Sequence, residues 1–458
     1  MITRRARVAP PSGAFGNTTG LGACVILVRT WAVLPGTKIY PQWLMPESLS
    51  DTAERLDRED PLAPFRDRFV MPECRAYLDG NSLGPMPLAA RERVTRLLYE
   101  EWGRRGVGGW NDGWIDLPGR LGAKIASIIG AHPDEVIVCD STSVNFYKLL
   151  LAALELQSPR AIVLAERTSF PTNLYLAERS GAELSFLDLN PHGAADVETM
   201  STALQGHVAV LALNHVAFKS GWLHPMDQVE LVAREKGVLV LWDLSHSAGA
   251  LPIDLNGCGA QLAVGCTYKY LNGGPGSPAY LYVARKLQDR LRSPIQGWLG
   301  HRAAFDFDPS YRPADGIERF IAGTPPILSM AAVEAGIEIA REAGMDRIRQ
   351  KSILLTDLIV RAWEDRLEPL GIELASPREP ANRGSHVSFS HPSAAELTRR
   401  LIEDHAVLPD FRRPDVIRFG VSALYNRFCE ALTGIEALRE ATLEGNFGGA
   451  SLRRGKVT

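Results

Sequence analysis

Residues 238–246 read VLVLWDLSH, and this stretch decides the fold. Its five leading apolar residues predict a strand from Val238 to Asp243 that is buried on both faces of a sheet. Burying the carboxylate of Asp243 at the end of such a strand is costly unless a cation meets it. The alternative role for Asp243 is an N-cap of the residues that follow. The stretch therefore predicts either a ligand site or a helix start at the end of a central strand.

Apolar runs of the same kind alternate with helical patterns on both sides of this stretch. The predicted strands are 135–140, 161–165, 182–187 and 207–213, and the predicted helices are 144–156, 172–179 and 226–236. This alternation predicts an α/β fold with a mostly parallel sheet that helices cover on both faces. Open sheets of this class bind ligands at the carboxyl ends of their strands.

The pattern changes after about residue 324. Helices are predicted over 329–342, 345–363 and 394–404, and strands over 386–390 and 416–421. These elements predict a smaller C-terminal α+β domain. The predicted organisation is an extension over 1–45, a segment over 46–90 that joins the small domain, a large domain over 91–323 and the small domain over 324–458.

The first 45 residues contain several prolines and glycines and show no helical or strand period. Their apolar stretch from Cys24 to Val28 is interrupted by Arg29, and it is far shorter than the ~20 residues that span a bilayer. We expect this extension to be disordered and dispensable for the fold.

The composition is that of an ordinary globular protein, with 45% hydrophobic and 22% charged residues. The net charge of -3 and the scattered basic residues provide no basic face for nucleic acid. The six cysteines are widely spaced and form no CxxC pair, which favours free thiols in a reducing cytosol over disulfides or a metal site. These features predict a cytoplasmic protein without nucleic-acid, membrane or metal partners.

Two strand-to-helix junctions in the first half of the chain end in polar residues. The segment Asp140 to Ser143, which includes Thr142, places hydroxyls and free backbone N–H groups at a helix start, where phosphate binds well. A plain N-cap is the more common explanation for such a segment on its own. The segment Phe170-Pro171-Thr172-Asn173 is the second junction, and Phe170 is an ordinary packing residue unless a flat ligand lies against it.

A lysine follows the next apolar strand, in the segment Thr267-Tyr268-Lys269-Tyr270. Buried lysines have a lowered pKa and serve as nucleophiles that form Schiff bases. The alternative is a surface lysine at a turn, and the nearby carboxylate of Asp243 argues against it. In chain order these segments give a phosphate site, a stacking aromatic, a carboxylate and a lysine. That order is the one found in fold-type-I enzymes that use pyridoxal 5'-phosphate (PLP).

At these residues the chain resembles the kynureninases, over roughly residues 77–428. The matching segments are YLDGNSLGPMP (77–87), WNDGWIDLP (110–118), DSTSVNFYKLL (140–150), FPTNLY (170–175), DLSHSAG (243–249), YKYLNGGPG (268–276), GWLGH (297–301), GTPPIL (323–328) and IRFGVSALYN (417–426). The DLSH and YKYLN segments are shared with a wider group, the class V aminotransferases. The GNSLG, GWLGH and PPIL segments restrict the resemblance to the kynureninases. The resemblance implies PLP as the cofactor, a small amino-acid substrate and a homodimer with composite active sites.

The resemblance also implies a role for individual residues. Lys269 would bind PLP as a Schiff base, Asp243 would pair with the pyridine nitrogen, Phe170 would stack on the ring and His246 would lie near its 3-hydroxyl. The remaining cofactor contacts would come from Thr142, Ser143, Pro171, Thr172, Asn173, Asn214, Tyr268, Trp298 and Thr324. Arg418 would bind the substrate's α-carboxylate, with Asp415 as the local acid that could hold it instead. Trp110 and His301 would lie at the aromatic end of the substrate pocket.

The implied reaction is hydrolysis of L-kynurenine, or of 3-hydroxykynurenine, to an anthranilate and L-alanine. The chain departs from the family pattern at Asn173, where the motif usually ends in Asp. The rival activities are that of a cysteine desulfurase-like lyase, which would need a mobile nucleophilic cysteine such as Cys429, and that of a non-catalytic partner protein that keeps the fold.

Overall fold

The computed structural model describes residues 47–445, so the extension predicted over 1–45 lies outside the described residues. Ser48 begins the first helix as its N-cap, because its side chain accepts a hydrogen bond from the Asp51 amide at 3.1 Å. The first elements are α1 (Leu49–Glu59), β1 (Phe69–Val70), β2 (Ala76–Tyr77), β3 (Met86–Pro87), α2 (Leu88–Arg96), α3 (Gly103–Arg105) and α4 (Leu117–Ala126).

A seven-stranded sheet follows. Its strands are β4 (Val136–Val138), β5 (Ile162–Ala165), β6 (Glu183–Phe186), β7 (Val208–Asn214), β8 (Leu239–Asp243), β9 (Leu262–Gly265) and β10 (Tyr280–Val283). They are ordered β4-β10-β9-β8-β7-β5-β6, and the pairs from β6 to β9 are parallel. Only β10 runs antiparallel to its neighbours, β9 and β4. The predicted mostly parallel α/β sheet is confirmed.

Helices cover both faces of this sheet. They are α5 (Thr142–Gln157), α6 (Pro171–Glu178), α7 (Val197–Ala203), α8 (Met226–Glu235), α9 (Leu255–Cys258) and α10 (Arg285–Gln288). Successive residues of β8 point to opposite faces, so Val240 and Trp242 enter one hydrophobic cluster while Leu239 and Leu241 enter another. Burial on both faces explains why the central strands are continuous apolar runs.

The C-terminal part of the chain forms a second, four-stranded antiparallel sheet with helices around it. The elements of this part of the chain are α11 (Ile327–Ala343), α12 (Met345–Arg366), β11 (Glu373–Leu374), β12 (His386–Ser390), α13 (Ala394–Glu403), β13 (Val407–Leu408), β14 (Asp410–Arg412), β15 (Val416–Gly420) and α14 (Phe428–Leu443). The sheet order is β11-β12-β15-β14, and β13 pairs with β2 instead. Helices α12, α13 and α14 share a third hydrophobic cluster with these strands.

The segment before residue 90 contacts this second sheet. Helix α1 packs on α14, and Asp79 forms an isolated bridge with Gly420 at the end of β15. Helix α11 instead adds Ile327, Met330 and Ile337 to the first hydrophobic cluster of the large sheet. The predicted domain boundaries at 90/91 and 323/324 stay proposals. No helix within residues 47–445 has the length and apolar character needed to cross a membrane.

Candidate active site

Three neighbouring strands of the large sheet end at the same edge. Strand β7 ends at Asn214 and β8 ends at Asp243, and these two residues are paired in register. Strand β9 leads into the loop that contains Lys269. Because these three strands are parallel, their carboxyl ends lie side by side. The fold therefore brings the predicted carboxylate close to the predicted lysine.

Asp243 is buried, and within residues 47–445 its hydrogen bonds come from neutral groups. Its Oδ2 accepts hydrogen bonds from the amides of Asn173 at 3.0 Å and Asn214 at 3.2 Å, and its Oδ1 accepts one from the Ser245 backbone N–H at 2.9 Å. Three donors orient the carboxylate without neutralising its charge. A buried carboxylate of this kind is suited to a cationic partner, such as a protonated ring nitrogen.

Asn173 stands where the family pattern has Asp, and its amide contact with Asp243 leads to a first prediction. Asn173→Asp would place a second carboxylate about 3 Å from the first, and two such groups cannot both ionise cheaply. The second carboxyl would have a higher pKa in the folded protein than in the unfolded chain. The folded protein is therefore destabilised as the pH rises from the pKa of the unfolded chain towards that of the folded protein. We expect the cofactor-free variant to match wild type near pH 4 and to be about 1–3 kcal/mol less stable at pH 8.

Urea unfolding at both pH values measures this effect. Asn173→Ala is the matched control, because it loses the hydrogen bond without adding a charge, so its loss of stability should not grow with pH. An Asn173→Asp protein whose stability follows pH as wild type does would contradict this view of the pair.

Lys269 lies next to a histidine that also follows a strand end. Its Nζ is 2.8 Å from His246 Nε2 and 5.8 Å from the centre of the Tyr268 ring. Burial lowers the pKa of Lys269, and burial and then the Lys269 charge lower the pKa of His246 far below its ordinary value. His246 therefore favours its neutral form, and the lowered pKa of Lys269 makes its neutral amine more accessible, which suits a lysine that acts as a nucleophile.

The GNSLG segment packs directly against the lysine loop. The Gly84 amide donates to the Tyr268 carbonyl at 2.8 Å. A Cβ at Gly84 would lie 2.2 Å from Asn272 Oδ1 and 2.5 Å from the Lys269 carbonyl oxygen. Glycine is required here because only a residue without a side chain allows this approach.

The start of α5 forms a second part of the site. Ser141 is its N-cap and accepts a hydrogen bond from the Val144 amide at 3.3 Å, and Thr142 and Ser143 are its first two residues. Behind them the fully buried Lys148 donates to Asp140 Oδ2 and to the Phe320 carbonyl, both at 2.6 Å. This lysine ties the helix start to the segment that precedes Thr324.

Thr324 lies on the same side of the molecule as the start of α5. A cavity of about 310 Å³ is lined by Asp140, Ser141, Gly276 and Thr324, among others. Hydroxyls and backbone N–H groups at a helix N-terminus can hold a phosphate. Of the predicted phosphate contacts, Thr324 lines this cavity whereas Thr142, Ser143 and Tyr268 do not, so the phosphate site stays a prediction.

Phe170 and its neighbours lie at the start of α6. Phe170 is the N-cap, Pro171 is the first helical residue and Thr172 follows it. The Phe170 backbone N–H donates to Asn214 Oδ1 at 3.4 Å, so Asn214 connects this turn to Asp243. The Phe170 ring is 43% exposed and packs edge-on against Phe218 at 5.6 Å. Much of the ring is thus available to a flat ligand.

Arg418 is buried between the two sheets. Its guanidinium donates to Asp410 and Ser82 and to the Phe218 carbonyl of the large-sheet side. The acid that pairs with it is Asp410 and not Asp415, because Asp410 lies opposite Arg418 in the register of β14 and β15. Asp415 instead accepts a hydrogen bond from Ser390 at 3.2 Å. The Arg418 Nε is buried and has no partner among the described residues.

Three predicted residues make their contacts elsewhere. Trp110 packs edge-on against Trp114 at 5.6 Å, and Trp298 packs against Phe305 and Phe307. His301 accepts a hydrogen bond from the Ala303 amide at 2.9 Å and contacts the Tyr311 ring. Their roles at the site stay predictions.

The sequence alone does not identify several residues that surround Arg418 and Lys269. Asn81 is fully buried and neither atom of its amide has a partner among the described residues. Asp79 and Ser82 flank it in the YLDGNSLG segment, and Asp410 comes from β14. The signal for Asp79, Asn81 and Ser82 is the YLDGNSLG segment itself, which the resemblance includes without assigning them a role, whereas Asp410 has no such signal.

Comparison with known proteins identifies the family. The family model described as the kynureninase C-terminal domain matches residues 348–438. A kynureninase of Burkholderia mallei (strain SAVP1) is 44% identical over 395 residues, covering 85% of this chain and 94% of the relative. A kynureninase of Pseudomonas fluorescens is 43% identical over 396 residues, covering 84% and 93%.

Solved structures show a shared fold at lower identity. An apo cysteine desulfurase from Thermococcus onnurineus NA1 superposes with a TM-score of 0.71 at 19% identity, covering 85% of this chain and 98% of that one. A mutant of C-DES with glycine covalently linked to its PLP cofactor gives 0.72 at 18%, covering 82% and 99%. These likenesses support the fold-type-I architecture, and the two close relatives decide the family. The chain, with its lysine and carboxylate at adjoining strand ends, belongs to the kynureninase family.

Proposed function

We propose that this chain hydrolyses L-kynurenine to anthranilate and L-alanine, with PLP bound covalently to Lys269. The observation that supports it most is that the Lys269 Nζ lies 2.8 Å from His246, in the loop that follows β9, the strand next to β8, which ends at Asp243. With 3-hydroxykynurenine the same cleavage would give 3-hydroxyanthranilate.

The residues present fit PLP. The carboxylate of Asp243 has only neutral donors and would hold the pyridine nitrogen in its protonated form. His246 Nδ1 is buried without a partner among the described residues, which leaves it free to meet the ring's 3-hydroxyl. Thr142, Ser143 and Thr324 would hold the phosphate, together with Tyr268. Phe170 would lie on the ring.

When bound, PLP withdraws electrons from the substrate's α-carbon, which makes the α-proton acidic. The Lys269 Nζ, whose pKa is lowered by burial, would take that proton and could return it at another carbon. Arg418 orients the α-carboxylate through its free Nε. In the balanced reaction one water is consumed while the Cβ–Cγ bond breaks. Its oxygen enters the anthranilate carboxylate and a proton is added to the Cβ that becomes the methyl group of alanine.

The desulfurase-like alternative is disfavoured by the setting of Cys429. This residue is the second of α14, and its backbone N–H donates to Asp57 Oδ2 at 3.0 Å. Burial, and then the neighbouring Asp57, raise the pKa of its thiol to about 12. A thiol in the first turn of a packed helix, so hard to ionise, is poorly suited to nucleophilic attack.

Product analysis tests the proposed activity. Purified protein supplied with PLP is expected to convert L-kynurenine into equal amounts of anthranilate and L-alanine, and a parallel reaction with 3-hydroxykynurenine compares the two substrates. Release of sulfide from cysteine with no anthranilate from kynurenine would refute the proposal in favour of a lyase.

We also propose that the chain acts in the cytoplasm as a homodimer with composite active sites. Several large apolar side chains are exposed on the single chain and would be covered by a second copy, namely Tyr99 (72%), Trp102 (56%), Phe305 (62%) and Phe307 (75%). Trp298, which packs against the last two, is the cofactor contact that a partner would supply or complete.

A further inference from the structure

Arg418 belongs to a cluster of four charged side chains. Asp410 Oδ2 accepts hydrogen bonds from Ser82 and from Arg418 Nη2, and it forms a salt bridge with Arg412 Nη2 at 2.7 Å. Asp410 is fully buried, so its carboxylate depends on these contacts. One carboxylate and two guanidinium groups leave a net charge of +1 before the fourth member is counted.

Asp79 is that fourth member. It is bridged to Gly420 beside β15, and its Oδ1 is buried without a hydrogen-bond partner among the described residues. The Asp79 carbonyl accepts hydrogen bonds from the amides of Ser82 at 3.0 Å and Leu83 at 3.1 Å, and the Ser82 hydroxyl donates to Asp410, so the segment that contains Asp79 packs directly against the cluster. Burial, and then the Asp410 charge, raise the pKa of Asp79 to about 8, although Arg418 opposes the shift. Asp79 is therefore mostly protonated at neutral pH, and the cluster keeps its charge of +1.

The other titratable groups that face Asp79 are phenols. Tyr77, Tyr270 and Tyr425 come from three different segments, and each has its pKa raised, chiefly by burial. They stay neutral across the pH range in which Asp79 titrates. None of them changes the charge of the cluster.

Two histidines and a lysine lie on the far side of Arg418. Burial lowers the pKa of both His246 and His386 well below the ordinary value, with the charges of Lys269 and Arg418 adding to the effect. Burial lowers the pKa of Lys269 as well. The two histidines therefore stay neutral near pH 8, and substitution of Asp79 separates its titration from that of Lys269.

We propose that Asp79 sets the charge of the substrate-carboxylate site, because its protonated form leaves one positive charge at Arg418 that its ionised form cancels. This inference rests on the proposed function for the identity of the carboxylate. Two donors near that charge are unpartnered, the Arg418 Nε and the Asn81 amide. Asn81 packs against Gly420, which lies on the same face of β15 as Arg418.

The inference predicts how anion binding depends on pH. Below about pH 8 Asp79 is protonated, the site has a net charge of +1, and its affinity for a carboxylate is at its highest. Above it the protonated fraction of Asp79 falls about tenfold per pH unit, and carboxylate affinity falls with it. The dissociation constant for a carboxylate should thus rise about tenfold between pH 7 and pH 9.

Calorimetric titration of the PLP-saturated protein measures the dissociation constant of a carboxylate ligand. The probe is 4-(2-aminophenyl)-4-oxobutanoate, which has the carboxylate of kynurenine but no α-amine. The neutral companion is 1-(2-aminophenyl)butan-1-one, which lacks the carboxylate. Asp79→Asn is expected to bind the carboxylate probe with less than a twofold change from pH 7 to pH 9. Asp67→Asn, which alters an exposed carboxyl, should keep the wild-type rise.

An equal rise in Asp79→Asn, or an equal rise for the neutral companion, would overturn the inference. If Asp79→Asn does not fold, Asp79→Ser takes its place. Titration with the carboxylate probe at pH 9 in two buffers of different ionisation heat should then show uptake of more protons by wild type than by Asp79→Ser, and equal uptake would overturn the inference. These titrations need no turnover, so failure to cleave kynurenine would refute only the proposed function.

Discussion

Lys269→Ala is expected to reduce turnover of kynurenine to less than a hundredth of the wild-type rate while leaving a folded protein. The substitution removes the amine that lies 2.8 Å from His246 and with it both the covalent cofactor bond and the base for the α-proton. Cofactor can still bind without a covalent bond, because Asp243 and the start of α5 are unchanged. Steady-state kinetics with saturating PLP, together with thermal unfolding, measure both effects.

The matched control for this variant is Lys286→Ala, which makes the same change at an exposed lysine and should retain wild-type activity. If Lys269→Ala kept more than a hundredth of the wild-type rate, Lys269 would not be the catalytic lysine.

Arg418→Lys is expected to lower kcat/KM by tenfold or more, which corresponds to about 1.4 kcal/mol or more of lost transition-state binding. The planar guanidinium contacts Asp410, Ser82 and the Phe218 carbonyl and still presents a free Nε. An ammonium group keeps the charge but cannot reproduce this geometry. Cofactor affinity should stay unchanged, because the described contacts of Arg418 are outside the cofactor residues.

Inhibitor binding separates a substrate role from a structural one. Arg418→Lys should weaken binding of α-carboxylate inhibitors but not of anthranilate, which lacks the amino-acid end of the substrate. Arg412→Lys is the control, because Arg412 forms a salt bridge with the same Asp410 but is not proposed to contact the substrate. Unchanged kinetics with a lower melting temperature would make Arg418 a structural residue.

Much of the fold follows from local patterns. Strand β8 was expected over 238–243 and spans Leu239–Asp243, and β12 spans the expected His386–Ser390. Buried parallel strands are predictable because both faces demand apolar residues. The antiparallel direction of β10 is not predictable in this way, because hydrophobicity along one strand contains no information about its neighbour's direction.

The residues of the site are likewise predictable only where a local pattern marks them. Residues at strand ends, such as Asp243 and Lys269, can be recognised because their polarity contrasts with the run before them. The pairing of Arg418 with Asp410 depends on the register of two strands, and the contact of Lys148 with Phe320 joins segments 172 residues apart. The donation from Asn173 to Asp243 likewise appears only once α6 is packed at the sheet edge.

The most direct test of the whole account is the position of the cofactor on the chain. Borohydride reduction of the PLP-loaded protein fixes the group to its lysine, and trypsin cannot cut after a modified lysine. The account predicts a single uncut tryptic peptide, residues 237–285, that carries the phosphopyridoxyl group on Lys269. Normal cleavage after Lys269, with the group on another lysine or on none, would contradict it.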